Sequence, residues 1–376
     1  MLPTLAEQVE GILEEHSGDK GIIHTHTQYI ADYMRDQKLN AVNEMSFGLP
    51  GMGPEMDLFD NFSMHPEDMN IEVVEMNQNM WDIYIKLISS HSNMTSIPGR
   101  CLRLAIIEKK TQKWVGFIRL GSPVINCKPR NEMLGQVFTQ HEGGAQLFNQ
   151  CAAMGFVIVP AQPFGFNYLG GKLLAAICTT HEVRRMLDEK YKMTTCLFET
   201  TSLYGSSKAV SQYDGMKPLI RFKGLTDSDF MPMLHGKIYS DLKDYIEDII
   251  GEDLAPQDAS SRKLKISNTM VNLIKVALKG TPEGDRFKLT IENAKNLNEQ
   301  KRYFISDYGF KNMIEFVNGD TEKLLPGENY EKHHLANIIE WWRKKAMNRF
   351  DTLTTEKRIR NEQEVWTNGT VLDIIR

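Results

Sequence analysis

The chain has 376 residues, of which 41% are hydrophobic and 25% are charged, and its formal net charge at pH 7 is −5. A length of this order corresponds to two or three globular domains, each large enough to bury a core. The composition excludes a collagen-like, rod-like or wholly disordered chain, and no apolar run approaches the ~18 residues that a membrane-spanning helix needs, so no membrane association is expected.

The charge is distributed unevenly along the chain. Residues 1–96 hold 16 acidic and 4 basic residues, a net charge of −12, and the remaining 280 residues hold 33 acidic and 40 basic residues, a net charge of +7. A basic body can bind phosphate backbones, whereas an acidic segment repels them or covers the basic surface. The alternative is a solvated acidic tail beside an ordinary domain.

The cysteines and the first residues indicate the compartment. There are five cysteines, an odd number without a Cys-x-x-Cys pair, at positions 101, 127, 151, 178 and 196. Their spacing is typical of small buried thiols and of neither a disulfide framework nor a zinc site, and we predict no metal site. The first residues lack the basic and apolar regions of a signal peptide, so we expect a cytoplasmic protein.

Residues 1–79 are predicted to form an acidic, methionine-rich arm that is partly irregular. Within it, residues 40–79 are rich in glycine, proline and methionine, as in the sequence FGLPGMGPEM over residues 47–56. Such a composition favours a long irregular segment that builds no core. Its methionine and phenylalanine side chains are candidates for docking on a protein partner or on the body of the protein.

Residues 80–250 are predicted to form an α/β domain. The expected elements are a helix, two strands, a helix, a strand, a helix and a strand, over residues 81–87, 101–108, 114–120, 142–153, 155–160, 169–190 and 194–200. The two strands at 101–120 are separated by a polar turn and predict a β-hairpin. The strand at 155–160 is almost entirely apolar, which predicts a central strand in a βαβ crossover.

Residues 251–376 are predicted to form a basic, helical C-terminal extension. Residues 262–302 indicate a helix, a loop and a helix, and residues 333–366 indicate one long helix, interrupted at most near Thr352. The cluster Arg343, Lys344 and Lys345 follows two tryptophans, and basic and aromatic side chains together are typical of nucleic-acid surfaces. The alternative is that the tryptophans belong to the core and the basic residues form a solvated helix face.

The loop after the central strand is the first candidate site. Where a strand leads through a glycine-containing turn into a helix, the first amide N–H groups of the helix lack partners and favour an anion. We therefore expect a bound cofactor or backbone phosphate at this loop, held by Gln162, Gly165, Asn167, Gly170, Gly171 and Lys172. The alternative is that the glycines allow a helix to pack closely on the sheet.

Glu199 is the second candidate site. It follows an apolar strand and precedes the segment with Lys208 and Tyr213, so Glu199 and Tyr213 are predicted as catalytic, with Glu199 as general acid or base. Substrate or phosphate binding is assigned to basic and polar side chains, namely Ser122, Arg130, Asn131 and Lys208 together with Arg343, Lys344 and Lys345. The alternative is a buried ion pair of Glu199 with Lys208 or Arg130.

Several short sequences resemble a known family over about residues 99–222. They are VGFIRLGSP at 115–123, KPRN at 128–131, FVIVP at 156–160, NYLGGKLL at 167–174, LFET at 197–200 and GSSKAVSQYDG at 205–215. Their content resembles the DruA family of the Druantia anti-phage systems, and the order of the elements is similar to the GCN5-related N-acetyltransferase (GNAT) fold. The resemblance implies a GNAT-like mixed sheet with flanking helices, to which the sequence adds an α-helical C-terminal extension.

The resemblance and the charge distribution together suggest three functions. The first is a GNAT-like protein of the DruA kind that acts on or at DNA, in the form of a phage or anti-phage DNA modification transferase. The second is a non-catalytic DNA-binding component of a phage-defence or phage system, and the third is an acyl-CoA-dependent N-acyltransferase on a small amine or protein. The cofactor is unassigned. The GNAT-like fold suggests acetyl-CoA or another acyl-CoA, but Phe164, Phe166 and Tyr168 would crowd its pyrophosphate and argue against it.

Overall fold

The computed structural model of the protein describes residues 53–89, 99–124, 127–135, 143–202, 211–226, 236–255, 262–296 and 301–366. The chain divides into two compact units. The first, here the sheet unit, contains the described residues up to 226 and from 301 onwards, and the second, here the helical unit, contains those between 236 and 296. The three-part division expected from the sequence stays a prediction.

The sheet unit is built on one mixed sheet of seven strands. They are β1 Ile71–Glu75, β2 Cys101–Glu108, β3 Lys113–Gly121, β4 Ala152–Pro160, β5 Leu197–Thr201, β6 Arg221–Leu225 and β7 Arg302–Ser306. Their order is β1-β2-β3-β4-β5-β7-β6, and all neighbours are antiparallel except β4 and β5, which are parallel. The predicted hairpin, the parallel crossover and the α/β fold class are therefore confirmed.

Both faces of the sheet carry a core, because successive side chains of a strand point to opposite faces. In β3, Phe117 packs on one face and Ile118 on the other, and in β4 Val157 and Ile158 do the same. The strand β4 is the fourth of the seven strands, which confirms its predicted central position. Apolar side chains are needed on both faces of such a strand, which explains its nearly continuous apolar sequence.

The helices of the sheet unit that precede β5 are α1 Pro54–Asp57, α2 Gln78–Ile88, α3 Lys128–Leu134, α4 Gly144–Cys151, α5 Phe164–Tyr168, α6 Gly170–Ile177 and α7 His181–Tyr191. The single helix expected over residues 169–190 is wrong, because the chain leaves the helix between Ile177 and His181. The hydroxyls of Thr179 and Thr180 bond back to the carbonyls of Ala176 and Ile177, each at 2.8 Å. Thr180 then caps α7 through the Val183 N–H, and such local hydroxyl bonds compete with helix continuation.

The helical unit consists of three helices in the described residues, α8 Gly236–Ile250, α9 Arg262–Ala277 and α10 Pro282–Asn296. Their apolar faces form a separate core around Leu242, Ile266, Met270 and Phe287. The helix, loop and helix predicted over residues 262–302 correspond to α9 and α10.

The sheet unit ends with α11 Met313–Val317 and α12 Leu335–Thr355. The Trp342 side chain of α12 is fully buried, and its indole N–H donates to the Tyr168 carbonyl at 2.8 Å. The expectation that this helix runs to Trp366 is wrong, because the helix ends at Thr355 and Lys357 has a positive φ of 55°. The segment after it returns to α2, where the Trp366 N–H donates to the Leu87 carbonyl at 2.8 Å.

The described part of residues 40–79 contributes to the core. Leu58, Phe59, Phe62 and Met69 are all at most 4% exposed, and β1 forms one edge of the sheet. The interpretation of this stretch as a segment that builds no core is therefore wrong from residue 53 onwards. Pro54 and Pro66 each begin a short helix, while the apolar residues between and after them pack inwards.

Candidate functional site

Glu199 and Arg130 form an ion pair in the interior of the sheet unit. Glu199 lies on β5 and Arg130 on α3, and neither side chain has exposed surface. One guanidinium nitrogen of Arg130, Nη1, donates to both carboxylate oxygens, at 3.1 and 3.3 Å, and to the Val124 carbonyl at 2.6 Å. The Tyr303 hydroxyl on β7 donates to the same carboxylate at 2.7 Å. The pair therefore joins β5, β7 and α3.

The electrostatics of this pair are those of a buried carboxylate with two partners. Burial raises the pKa of the Glu199 carboxyl, and the Arg130 charge and the Tyr303 hydroxyl oppose that rise. Burial and the Glu199 charge raise the pKa of Tyr303 well above its ordinary value. These are the contacts of the ion pair given above as the alternative, with Arg130 as the partner, and the catalytic role of Glu199 stays a prediction.

Tyr213 lies on the opposite face of β5. Its buried hydroxyl is 3.5 Å from the Thr200 hydroxyl, which lies 3.0 Å from the Gly155 carbonyl, and burial raises the pKa of Tyr213 to about 12. Because Glu199 and Thr200 are successive residues of one strand, their side chains point to opposite faces. The structure therefore does not bring the two predicted catalytic side chains together.

The remaining predicted polar residues near β3 and α3 have structural contacts. The Ser122 hydroxyl accepts the backbone N–H of Arg100 at 3.1 Å. The Asn131 side-chain oxygen accepts a hydrogen bond from Arg130 Nη2 at 3.4 Å. Lys208 lies outside the described residues, so its assignment, like the phosphate-binding role of Ser122 and Asn131, stays a prediction.

The loop after β4 is closed by its own hydrogen bonds. Three successive amide N–H groups have acceptors within the loop: Gly165 with the Ala161 carbonyl at 2.9 Å, Phe166 with Gln162 Oε1 at 3.1 Å and Asn167 with the Pro163 carbonyl at 2.8 Å. These are the amides that a pyrophosphate would need at this turn. In this conformation each of these three N–H groups already donates a hydrogen bond within the loop.

Asn167 connects the loop to the segment after α12. Its fully buried side-chain amide donates to the Arg360 carbonyl at 2.8 Å and accepts the Arg360 N–H at 3.1 Å. The Gln162 carbonyl accepts the Glu364 N–H at 3.0 Å in the same segment. Asn167 therefore uses both polar ends of its side chain to hold the protein's own backbone.

The glycines at the start of α6 allow close packing. A Cβ atom on Gly170 would lie 2.6 Å from the Phe164 ring, and one on Gly171 would lie 2.8 Å from Gln212 Oε1. A Cβ atom on Gly165 would lie 2.5 Å from Gln162 Nε2. The contact at Gly170 is with a packed ring and supports the packing role given above as the alternative, whereas the contacts at Gly165 and Gly171 are with the ends of glutamine side chains, which can move.

Lys172 is the first residue of a basic surface around this loop. Its ammonium group donates to the backbone carbonyls of Asp214 and, at 3.4 Å, of Gln212. Burial lowers the pKa of Lys172, and the nearby charge of Lys345 on α12 lowers it further. Lys345 in turn lies 5.4 Å from the centre of the Trp341 ring. Residues of the predicted loop site and of the predicted nucleic-acid surface therefore meet.

Arg349 and Arg360 extend this surface around Phe166, and Arg358 lies near Arg349. The Arg349 and Arg360 guanidinium groups lie 4.7 and 3.8 Å from the centre of the Phe166 ring, and Arg349 donates to the Phe166 carbonyl at 3.3 Å. Burial lowers the pKa of Arg349, as do the charges of Arg358 and Arg360. We call the set of these five cations the basic ridge, which consists of Lys172, Lys345, Arg349, Arg358 and Arg360.

The predicted cluster at residues 343–345 is only partly on the ridge. Arg343 donates to the Met69 carbonyl at 3.1 Å and pairs with Glu340 at 3.1 Å. Lys344 lies 3.6 Å from Glu340, so the same carboxylate faces both charges. Of the three residues, Lys345 alone faces another member of the ridge.

The sequence interpretation did not select Tyr303, Phe166 or the ridge arginines as site residues. Arg349, Arg358 and Arg360 are visible as basic residues of the C-terminal segment, but their position around Phe166 depends on how α12 packs. Tyr303 is 104 residues from Glu199 in the chain, and no local pattern places β7 beside β5. Alternation along the sequence of β7 places Tyr303 and Ile305 on the same face of the strand. This alternation is the sequence feature that could have pointed to Tyr303.

Neither a metal site nor a membrane-spanning helix is present among the residues that the structure describes. Within them, no group of three or more His, Cys, Asp or Glu side chains could hold a metal ion. None of their helices has the length and apolar sequence required to cross a bilayer.

The fold and these contacts define an α/β protein with a seven-stranded mixed sheet, an internal ion pair and a C-terminal helix that carries a basic surface. Residues 55–215 match the family model described as DruA: Druantia protein DruA. This match over part of the chain confirms the resemblance to the DruA family inferred from the sequence and extends it towards the N-terminus to include most of α1. The GNAT-like character of the sheet stays a prediction.

Comparison with curated proteins and with solved structures found no match. The matched family model describes a protein of the Druantia systems, and residues 55–215 are similar to it.

Proposed function

We propose that this protein is a DNA-binding component of a Druantia anti-phage system and that the basic ridge holds DNA phosphates. The observation that carries this proposal is the proximity of like charges along the ridge: Arg349 and Arg360 lie at Phe166, Lys345 faces Lys172 on α6, and Arg358 lies near Arg349. The net charge of +7 of residues 97–376 acts in the same direction. Among the functions considered from the sequence, the non-catalytic DNA-binding component is the one that these contacts favour.

The charges of the ridge are only partly neutralised by the protein. Arg358 pairs with Glu356 at 2.6 Å and Arg360 with Glu364 at 2.8 Å. The hydrogen bonds of Lys172 and Arg349 go to backbone carbonyls and Lys345 lies beside the Trp341 ring, while Asp214 and Glu356 lie near enough to Lys172 and Arg349 for their charges to interact. Two like charges ~4 Å apart repel by ~1 kcal/mol even in water, so a phosphate placed between such groups is favoured.

The aromatic rings add a second type of contact. Phe166 lies between the guanidinium groups of Arg349 and Arg360, and Trp341 lies beside Lys345. Stacking holds long cationic side chains in place and reduces the rotamer entropy that they lose on binding. A fixed row of cations follows a phosphate backbone with little dependence on base sequence.

An acyl-CoA cofactor does not fit the loop as it stands. Its pyrophosphate would require free amide N–H groups at residues 165–167, and all three have acceptors within the loop. The ring of Phe164 occupies the space in front of Gly170. We therefore derive no transferase or acyltransferase step from this loop.

The test measures DNA affinity of the full chain against salt. A fluorescent DNA duplex is titrated with wild-type protein at about 50 mM to 200 mM salt, where each phosphate contact contributes a slope of about −0.9 to log K against log salt. We expect the paired substitution Lys345→Glu and Arg349→Glu to weaken binding at least tenfold at intermediate salt and to reduce the slope by about two.

The matched control changes the same amount of charge elsewhere in the sheet unit. Lys311 and Lys323 are exposed lysines that flank α11, and Lys311→Glu with Lys323→Glu gives the same change in net charge. We expect this variant to bind DNA within about twofold of wild type. Equal weakening by both variants, or no binding by wild type at low salt, would contradict the proposal.

A thermal measurement separates DNA binding from the cofactor-dependent alternatives. A ligand that binds only the folded protein raises the melting temperature, and at about 100 times its Kd the gain is about 2.7 kcal/mol. We expect the DNA duplex to raise the melting temperature and acetyl-CoA to leave it unchanged. A shift with acetyl-CoA and none with DNA would favour an acyltransferase instead.

A further inference from the structure

Two cysteines lie side by side where the parallel strands β4 and β5 begin. Cys151 is the last residue of α4, and Cys196 immediately precedes β5. The Cys196 N–H donates to the Cys151 carbonyl at 2.8 Å, and the next residues form the first pair of the parallel ladder, Ala152 with Leu197. Neighbouring strands are ~4.8 Å apart, which is within the Cα separation of ~4.4–6.8 Å found in disulfides.

The two thiols interact directly and have different surroundings. The Cys196 thiol forms a side-chain hydrogen bond with Cys151, and Arg100 lies close enough to Cys151 for their charges to interact. The Arg100 guanidinium is fixed by hydrogen bonds to the Asn149 side chain at 3.1 Å and the Ala152 carbonyl at 2.9 Å. A thiol that receives a hydrogen bond and faces a cation ionises more readily.

The pKa directions follow this asymmetry. The hydrogen bond from Cys196 lowers the pKa of Cys151, with a further contribution from Arg100, although burial and Asp188 oppose them. Burial raises the pKa of Cys196 well above its ordinary value, and the neighbouring Cys151 adds to the rise. Of the two thiols, Cys151 is therefore the one that ionises more readily.

We propose that Cys151 and Cys196 form a dithiol that hydrogen peroxide oxidises to a disulfide across the start of the parallel pair. The Cys151 thiolate attacks one peroxide oxygen, the O–O bond breaks, and the released hydroxide takes a proton to form water, which leaves Cys151 as a sulfenic acid. The Cys196 sulfur then attacks the Cys151 sulfur, the S–O bond breaks, and the hydroxide leaves with the Cys196 proton as a second water. Both sulfurs are oxidised by one unit each, and the peroxide is reduced by two electrons.

The burial of the two thiols requires a small oxidant. Cys151 is 3% exposed and Cys196 has no exposed surface, so a tripeptide disulfide such as oxidised glutathione cannot reach either sulfur without a large opening. Hydrogen peroxide is little larger than a water molecule and needs only a local fluctuation. Selectivity for peroxide over oxidised glutathione is therefore expected.

The other cysteines of the described residues provide internal controls. The Cys178 thiol lies 3.2 Å from the Leu174 carbonyl, to which it donates, and burial raises its pKa. Cys101 is half-buried and accessible enough to report non-specific oxidation. Cys178→Ser is the matched control variant, because it removes a buried thiol that takes no part in the pair.

The experiment treats reduced full-length protein with hydrogen peroxide or with oxidised glutathione, blocks the remaining thiols and identifies linked peptides by mass spectrometry. We expect peroxide to link the peptides of Cys151 and Cys196 in wild type and in Cys178→Ser, and oxidised glutathione to give at least tenfold less of this product. In Cys196→Ser, Cys151 is expected to stop at the sulfenic acid, which a dimedone-type reagent traps.

The proposal can be contradicted with the wild-type protein alone. The test therefore still holds if one of the variants fails to fold. Oxidation of Cys101 without a Cys151–Cys196 link would overturn it. Conversion of Cys151 to a sulfinic acid in wild type would also overturn it, because Cys196 would then have failed to react with the sulfenic acid.

Discussion

At the scale of single residues, Arg130 and Glu199 form an ion pair in the interior of the sheet unit, with no exposed surface on either side chain. Two charges removed from water are tolerated only when they also have hydrogen-bond partners, and here the Tyr303 hydroxyl donates to the carboxylate and the Val124 carbonyl accepts from the guanidinium group. The pair links a helix to two strands that are distant in sequence. Its removal should therefore affect stability more than DNA binding.

Glu199→Gln tests this directly. Gln keeps the shape but leaves the Arg130 charge without its counter-charge, and we expect the free energy of unfolding to fall by about 3 kcal/mol. The measurement is denaturant unfolding followed by tryptophan fluorescence, since all five tryptophans, at positions 81, 114, 341, 342 and 366, lie in the sheet unit. The folded variant should bind DNA as wild type does.

The control for this substitution is an exposed pair on the same sheet. Glu72 lies 3.8 Å from Lys109, and both side chains are more than 40% exposed. Glu72→Gln should change the free energy of unfolding by less than about 0.5 kcal/mol. A similar small effect of Glu199→Gln would show that the buried pair does not hold the fold, and loss of a DNA modification in the folded variant would support catalysis instead.

At the scale of residues, some members of the site could be predicted from the sequence and others could not. Glu199 was selected because it ends an apolar strand, and Arg130 was one of two partners considered for it. Tyr303 and the Asn167–Arg360 contact were not accessible, because they join residues 104 and 193 positions apart. Such contacts depend on the strand order and on the path of the chain after α12, which no local pattern specifies.

At the scale of elements, the break between α6 and α7 creates a histidine cluster at the contact with α12. His181, the first residue of α7, is 2% exposed and lies 4.0 Å from the Tyr330 ring, measured between ring centres. Its Nε2 lies 2.9 Å from the Tyr330 carbonyl, and its Nδ1 is buried without a partner among the described residues. The rings of His333 and His334 lie 6.0 and 4.9 Å away.

This cluster should make the sheet unit sensitive to acid. Burial lowers the pKa of His181 to about 4, and the charges of Arg184, His333 and His334 act in the same direction. In the unfolded chain a histidine titrates near ~6.5, so between these values the unfolded state binds more protons and stability rises with pH. The contribution is complete above about pH 6.5 and is lost as the pH falls towards 4.

His181→Phe tests the prediction, because it keeps a ring against Tyr330 and removes the proton site. We expect wild type to lose about 1–3 kcal/mol of unfolding free energy between pH 6.5 and 4 on account of this group, and the variant to lose correspondingly less. Val183→Ala, at a buried position of the same helix, should lower stability equally at both pH values. An unchanged pH dependence in His181→Phe would contradict the assignment.

The strands and helices were predicted correctly where the apolar pattern of the sequence determines them. The prediction failed where side-chain hydroxyls determine the end of a helix. The alternation in β2 to β4 was enough to predict the hairpin and the central strand. The helix over 169–190 was predicted as continuous because leucine and alanine before the break and valine and leucine after it have helical spacing. Thr179 and Thr180 end α6 through their own hydroxyl bonds, and nothing in that spacing indicates this choice.

At the scale of the whole molecule, the net charge of −5 combines an acidic first part with a basic remainder. Part of the acidic stretch belongs to the same unit as the ridge: β1 pairs with β2, and the Met69 carbonyl accepts a hydrogen bond from Arg343 on α12. The Tyr168 hydroxyl donates to the Met64 carbonyl at 3.1 Å. The residues after position 53 therefore support the helix that carries the ridge, although the sequence composition suggested a separate arm.

Two truncated chains distinguish these interpretations. A chain that starts at residue 80 lacks β1 and the buried side chains of Leu58, Phe59, Phe62 and Met69, and each large apolar side chain contributes about 2–4 kcal/mol. We expect this chain to be largely unfolded or insoluble, because the lost contacts together are comparable to the ~5–15 kcal/mol of a typical domain. A chain that starts at residue 53 removes none of the described residues and serves as the matched control.

The readout is again tryptophan fluorescence, which reports only on the sheet unit. The chain from residue 53 should unfold at the same denaturant concentration as the full chain, while the chain from residue 80 should show no cooperative transition. If both chains unfold at the same concentration, residues 53–79 are not part of the core. If the chain from residue 53 binds DNA more tightly than the full chain at intermediate salt, the eight acidic and three basic residues that it lacks act against DNA, as the charge distribution predicts.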